Sequence, residues 1–120
     1  MDIKIDNLIK AYENQLVLKS FSHTFKEGSF SCLMGKSGVG KTTLLSILMG
    51  LEQEDSGSIT GISDRKISAV FQENRLCNNL TALYNIRMVS ADDYTDQDIL
   101  KYLKRIGIDG QYKKPVKEFS

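Results

Sequence analysis

The chain has 120 residues, enough for one small domain, and its 41% hydrophobic and 26% charged residues are those of a soluble globular protein. Lys plus Arg (16) nearly cancel Asp plus Glu (15), and no basic stripe is interleaved with aromatics, so nothing predicts nucleic acid as a partner. The acidic start Met1-Asp2-Ile3-Lys4 has no apolar stretch behind it, which argues against a signal peptide, and no run approaches the length needed to cross a bilayer.

In Asp2 to Asp6 polar and apolar residues alternate, placing Ile3 and Ile5 on one face of a half-exposed strand. Asn14 marks a turn after the polar stretch from Lys10 to Glu13. Leu16 to Phe25 reads as a second strand, with Phe21, His23 and Phe25 facing one way, and on that face His23 is packing rather than chemistry. Lys26-Glu27-Gly28 turns the chain into a third strand, Ser29 to Met34. Three early strands joined by short turns predict an antiparallel sheet. Cys32, in the third strand, reads as a small buried thiol. With no secretion signal, Cys32 and Cys77 are expected as free thiols in a reducing cytosol, and one His with two Cys offers no metal-ligand spacing.

The most informative stretch follows: Gly35-Lys36-Ser37-Gly38-Val39-Gly40-Lys41-Thr42, then Thr43. It has the spacing G-x-x-x-x-G-K-[ST] of the phosphate-binding P-loop. Gly35, Gly38 and Gly40 let the backbone curl and aim its N–H groups at one point. Lys41 supplies a mobile positive charge for the outer phosphates, and the Thr42 hydroxyl can hold a bridging Mg²⁺. Thr43 to Met49 is apolar almost all round and is stopped by Gly50, which predicts a buried helix. Strand, glycine loop and helix are thus in the order the motif requires.

Downstream, Asp55-Ser56-Gly57 signals a turn, Ile59 to Ile62 a short strand, and Ile67 to Phe71 a compact apolar strand inside a sheet, ending at Gln72. The texture then becomes polar loop and helix. Thr81 can cap a helix carrying Leu83, Ile86 and Val89 on one side. Ala91 to Tyr94 is an acidic link. Thr95 to Asp98 resembles a capping box opening a helix with Ile99, Leu103 and Ile106 on one face and a stop at Gly107. The only proline is Pro115.

Together these residues resemble the ATP-binding subunit of an ABC transporter. The resemblance is carried by Gly35 to Leu45, then Gly50-Leu51 and Ser56-Gly57-Ser58-Ile59; by Val70-Phe71-Gln72-Glu73, which looks like the family's Q-loop; by the aromatic Tyr12; and by Pro115 to Ser120, which looks like the lead into the family's signature. Phe71 to Leu76 followed by Leu80-Thr81 looks most like importers of the nitrate, sulfonate and taurine group. The resemblance implies an α/β fold of the P-loop NTPase class, ABC ATPase type, with an antiparallel β subdomain and the start of a helical subdomain. Residues 1–74 would form the P-loop core and β subdomain, and 75–120 would begin the helical subdomain. It implies ATP and Mg²⁺ as cofactors. The backbone from Ser37 through Gly38, Val39 and Gly40 to Thr42 would cradle the β- and γ-phosphates with Lys41, Thr43 would approach the α-phosphate, and Tyr12 would stack on adenine. Gln72 would ligate Mg²⁺ or orient the attacking water. Asn74, Arg75 and Leu76 would face membrane permease subunits, with a second ATP-binding subunit completing a dimer on the cytoplasmic face of the cell membrane.

Hydrolysis also needs an Asp at the end of an apolar strand and a carboxylate to position water. No apolar run ending in Asp-Glu follows Gln72, and Asp92-Asp93 sits in too polar a context. Phe119 stands where the family commonly has leucine. The reading is therefore the front part of a longer subunit, with an incomplete sheet, an exposed edge, weak or absent nucleotide binding and no steady turnover. The alternative is a non-hydrolysing nucleotide-binding or permease-docking fragment. A small nucleotide kinase or a GTPase is disfavoured, because there is no Arg-rich lid and no Asn-Lys-x-Asp motif.

Overall fold

The structure is a computed structural model that describes residues 1–90, 92–110 and 113–119. Ala91 of the acidic link and Ser120 of the signature lead lie outside the described residues. The chain divides into two compact units, Met1–Val70 and Phe71–Ser120.

In the first unit, β1 (Ile3–Tyr12) and β2 (Gln15–Phe25) form an antiparallel hairpin across the turn Glu13-Asn14. β3 (Ser56–Thr60) pairs antiparallel with the other edge of β1, giving the order β2-β1-β3. The first strand runs well past the expected Asp6, and it does so through a bulge. Asn7 takes a positive φ of 51°, its amide donates to Ser22 Oγ at 2.8 Å, and its Oδ1 accepts from Ser20 Oγ at 3.0 Å. The extra residue resets the alternation of the strand: Ile5 is buried before it, Leu8 and Lys10 after it. Gly57, with φ +101°, lets β3 close on this point, since a Cβ there would sit 2.6 Å from the Asn7 carbonyl oxygen.

α1 (Lys41–Leu48) lays Leu44 and Ile47 on the sheet, where they meet Ile5, Leu8 and Leu18. Phe21, Phe25, Leu48 and Ile59 pack around this core. The helix is buried on one face and not all round, and Leu45 is exposed.

Two expected strands do not form. Ser29 to Met34 and Ile67 to Phe71 are irregular, with Phe30 95% and Val70 101% exposed, and Cys32 is exposed rather than buried. A strand needs a neighbour for its N–H and C=O groups. Among the described residues the pairing partners of β1 are already β2 and β3, so the antiparallel sheet takes its third strand from residues 56–60 and not from 29–34.

In the second unit, α2 (Ala82–Arg87) and α3 (Asp96–Arg105) enclose a small core of Ala82, Ile99 and Leu103, with Leu83, Ile86, Leu100, Ile108 and Phe119 against it. Thr81 caps α2, its hydroxyl accepting from the Tyr84 amide at 3.2 Å. Thr95 and Asp98 form a reciprocal capping box on α3. Both helices stop sooner than their apolar spacing predicts. α2 ends at Arg87 and leaves Val89 exposed; α3 ends at Arg105 and leaves Ile106 exposed. Gly107, at φ 91°, turns the chain so that Ile108 rather than Ile106 reaches the core, the Ile108 amide donating to the Leu103 carbonyl at 2.9 Å. Pro115 bridges to Thr81, and a short 3₁₀ turn, Val116–Glu118, follows.

Candidate functional site

The glycine loop leaves the irregular segment 29–34 and runs directly into α1. Its curl is tight: a Cβ on Gly35 would lie 2.9 Å from Val39 Cγ1. Gly38 (φ 78°) and Gly40 (φ 107°) both hold left-handed backbone. Gly40 is the residue before the first helical turn, and the first intrahelical bond runs from the Leu44 amide to its carbonyl at 2.9 Å. No side chain caps α1, and its first turn contains no acidic residue. The partial positive charge of its N-terminus therefore meets no competing carboxylate there.

The ammonium of Lys41 donates to the carbonyls of Gly35 and Lys36, the latter at 2.7 Å. The charge is thereby tethered to the start of the loop. An ammonium carries three donors, so one remains beyond these two. The side chain of Thr42 belongs to an exposed residue, and Thr43 is half-buried. This is a fit for a polyphosphate with its magnesium ion: left-handed glycines that a Cβ would strain, an uncapped helix start, an ammonium across the loop and an exposed hydroxyl.

Tyr12 closes β1 at the hairpin end, paired with Gln15. Gly40 packs against Val17 of the same hairpin, two residues from Gln15, which ties the loop to this end of the ribbon. Tyr12 is 42% exposed. Its hydroxyl donates to Glu52 Oε2 at 3.3 Å, and the ammonium of Lys10 lies 5.3 Å from its ring centroid.

Lys10 is a residue that sequence reasoning passed over as polar surface. It is buried, at 9% exposure. Its Nζ meets the Gln53 carbonyl at 2.7 Å, Glu52 Oε1 at 3.1 Å and Asp55 Oδ1 at 3.3 Å. Asp55 in turn accepts from the Ala11 amide at 2.7 Å. The Glu52 hydrogen bond and the nearby carboxylates raise the Lys10 pKa above its usual value. Lys10 lowers that of Glu52, and the Ala11 amide first, then Lys10, lowers that of Asp55. The signal that could have revealed Lys10 is its step of two from buried Leu8 along β1, legible only once the bulge at Asn7 is known.

Gln72, Asn74, Arg75 and Leu76 belong to the second unit and are exposed. Their loop is braced internally. The Arg75 guanidinium lies 4.3 Å from the Phe71 ring centroid and 3.4 Å from Glu73, and Asn74 Oδ1 accepts from the Leu76 amide at 2.8 Å. The next turn is clasped by Asn85 of α2, another residue with no sequence signal. Asn85 Oδ1 accepts from the Cys77 amide at 2.7 Å, and its Nδ2 donates to the carbonyls of Cys77 (3.1 Å), Leu80 (3.4 Å) and Thr81 (3.0 Å). The segment after Pro115 is strapped to the same turn, Val116 N donating to Leu80 O at 2.9 Å and Lys117 N to Asn78 O at 3.0 Å.

Among the described residues no group of three or more His, Cys, Asp or Glu is placed to hold a metal, and no helix is long and apolar enough to cross a membrane. Cys32 and Cys77 are free.

Comparison with known proteins gives these features a family. The model of the ABC transporter family matches residues 18–120. The chain is 33% identical over 98% of its length to the spermidine/putrescine import ATP-binding protein PotA of Spiroplasma citri, of which it covers 38%. It is 33% identical over 98% of its length to the lantibiotic transport ATP-binding protein SrtF of Streptococcus pyogenes, covering 55%. It is 36% identical over 92% of its length to the aliphatic sulfonates import ATP-binding protein SsuB 1 of Pseudomonas syringae pv. syringae, covering 45%. The chain thus spans roughly two fifths to just over half of the length of these relatives, whose names carry three unlike solutes. With the match running from β2 through the glycine loop to the last residue, the chain belongs to the ABC transporter family.

Proposed function

We propose that this chain binds Mg-ATP through the loop Gly35–Thr43, as the nucleotide-binding part of a subunit that powers solute movement through a membrane permease. The observation that supports this most is the build of the loop: Gly40 at φ 107° opening an uncapped helix, with the Lys41 ammonium held across the loop's start. In this reading the amides from Ser37 to Thr42 and Lys41 hold the β- and γ-phosphates. The Thr42 hydroxyl holds Mg²⁺, Thr43 faces the α-phosphate, and Tyr12 stacks on adenine. Gln72 is the further magnesium or water ligand. Asn74, Arg75 and Leu76 meet the permease, and a second ATP-binding subunit pairs with this one at the cytoplasmic face of the membrane. Bound Mg-ATP supplies a γ-phosphate whose cleavage is favourable; the residues of this chain bind and orient it. No apolar run ending in Asp-Glu follows Gln72 within residues 1–120, so steady turnover is not expected from this chain by itself, and its affinity for nucleotide is expected to be weak.

Calorimetric titration with Mg-ATP tests the reading. Saturable, Mg²⁺-dependent binding that disappears in Lys41→Ala supports it; equal binding by Lys41→Ala overturns it. A second reading, docking on a permease without nucleotide, draws on the separate core of the second unit and its braced loop. It would be favoured by permease capture that is indifferent to both ATP and Lys41→Ala.

A further inference from the structure

Lys10 stands out from the other lysines because it is buried, and a buried ammonium is costly unless its donors are met. Here three acceptors meet its three donors: the Gln53 carbonyl, Glu52 Oε1 and Asp55 Oδ1. The same ammonium lies over the Tyr12 ring, 5.3 Å from its centroid. Glu52 takes Lys10 on one oxygen and the Tyr12 hydroxyl on the other. The ring is thus held at its face by a cation and at its tip by a carboxylate, while the residue remains 42% exposed. The cation already draws on the π cloud, so the ring suits a neutral flat partner better than a second cation. Carboxylates on both flanks of Lys10 leave it no free donor to spend on phosphate. Its contribution to ligand binding therefore runs through the ring.

We propose that Lys10, with Glu52, is a positioning residue that locks the Tyr12 ring as a one-sided platform for a neutral purine, so that base recognition is set from beneath the ring and separately from the phosphate grip. The proposal rests on the reading that Tyr12 stacks on adenine.

The test compares binding of Mg-ATP with binding of Mg-tripolyphosphate, which has the phosphates and no base. Lys10→Met keeps the unbranched side chain, one atom shorter, and removes the charge. It is expected to weaken Mg-ATP about fivefold and to change tripolyphosphate less than about twofold. Lys10→Arg is expected to restore Mg-ATP, and Lys10→Met added to Tyr12→Ala to do nothing further. Tyr12→Phe, at a half-exposed site, removes only the Glu52 anchor and serves if Lys10→Met does not fold; it is expected to weaken Mg-ATP about twofold and spare tripolyphosphate. Equal loss of both ligands, or no loss of either in Lys10→Met and Tyr12→Phe, overturns the proposal. If the unaltered chain binds tripolyphosphate as tightly as Mg-ATP, the stacking reading of Tyr12 fails and this inference with it. If it binds neither, the phosphate-loop reading itself fails, a different result from selective failure at Lys10.

Discussion

Gly40 lies hard against Val17: a Cβ built on Gly40 would be 3.1 Å from Val17 Cγ1 and 3.2 Å from the Val17 carbonyl oxygen. Its φ of 107° is also outside the range that L side chains adopt comfortably. Gly40→Ala is therefore expected to destabilise the first unit by on the order of 1–3 kcal/mol. Gly38, at φ 78°, has nothing within 4 Å of such a Cβ. Gly38→Ala is expected to cost about 1 kcal/mol. Urea unfolding monitored on the sheet should rank the two in that order, and the opposite order would refute the close-approach argument.

Lys41 makes its contacts with loop carbonyls at the surface. Lys41→Ala is expected to leave stability within about 0.5 kcal/mol of the unaltered chain. Its effect belongs to the ligand: loss of a charge-assisted contact should weaken Mg-ATP binding at least about tenfold. Thermal melts and calorimetry on the same samples separate the two effects.

Asn85 is the clasp of the 77–81 turn. Asn85→Ala leaves the exposed Cys77 amide to water and is expected to cost about 0.5–1.5 kcal/mol locally. Hydrogen exchange should quicken at Cys77 and at Val116 and Lys117, which are strapped to the same turn, with α3 unchanged. Asn85→Asp should be worse than Ala, because it keeps an acceptor for Cys77 but points a carboxylate oxygen at the carbonyls of Cys77, Leu80 and Thr81.

The capping box gives α3 an acid limit. Hydrogen bonds from the Thr95 hydroxyl and then the Thr95 amide hold the Asp98 carboxyl below its ordinary 3.8. A depressed carboxylate stabilises the fold above its unfolded value and loses that contribution as pH falls through the folded one. Helicity of the second unit should thus be level through neutral pH and fall below about pH 4, where carboxyl groups protonate. In Asp98→Asn the Asp98 share of that fall should vanish. A circular-dichroism titration of both proteins checks this; identical acid limbs would mean the box contributes nothing.

Much of this molecule can be read in its residues, and the rest fails for identifiable reasons. The glycine loop, Thr81, and the Thr95–Asp98 box are local devices whose chemistry is complete within a few positions, and each stands where its spacing puts it. Ser29 to Met34 and Ile67 to Phe71 have strand-like patterns, but pairing is a property of neighbours, and a pattern does not say whether the neighbour is there. Val89 and Ile106 kept helical spacing past the point where their helices end. Lys10 was invisible because its partners, Glu52 to Asp55, come from a distant stretch, and Asn85 because what it holds are main-chain groups of the nearby 77–81 turn, which leave no mark in residue type.

The bulge at Asn7 decides which side chains the ribbon offers to its neighbours. Because alternation restarts there, Leu8 and Lys10 fall on the same side as buried Ile5, and Tyr12 follows on the side of the lysine beneath it. Were Asn7 held in regular alternation instead, Ile9 and Ala11 would take the side of Ile5, and Lys10 and Tyr12 would turn to the opposite face. A frame-like gear of one amino acid, well away from the glycine loop in sequence, thereby governs which face of the ribbon greets a ring.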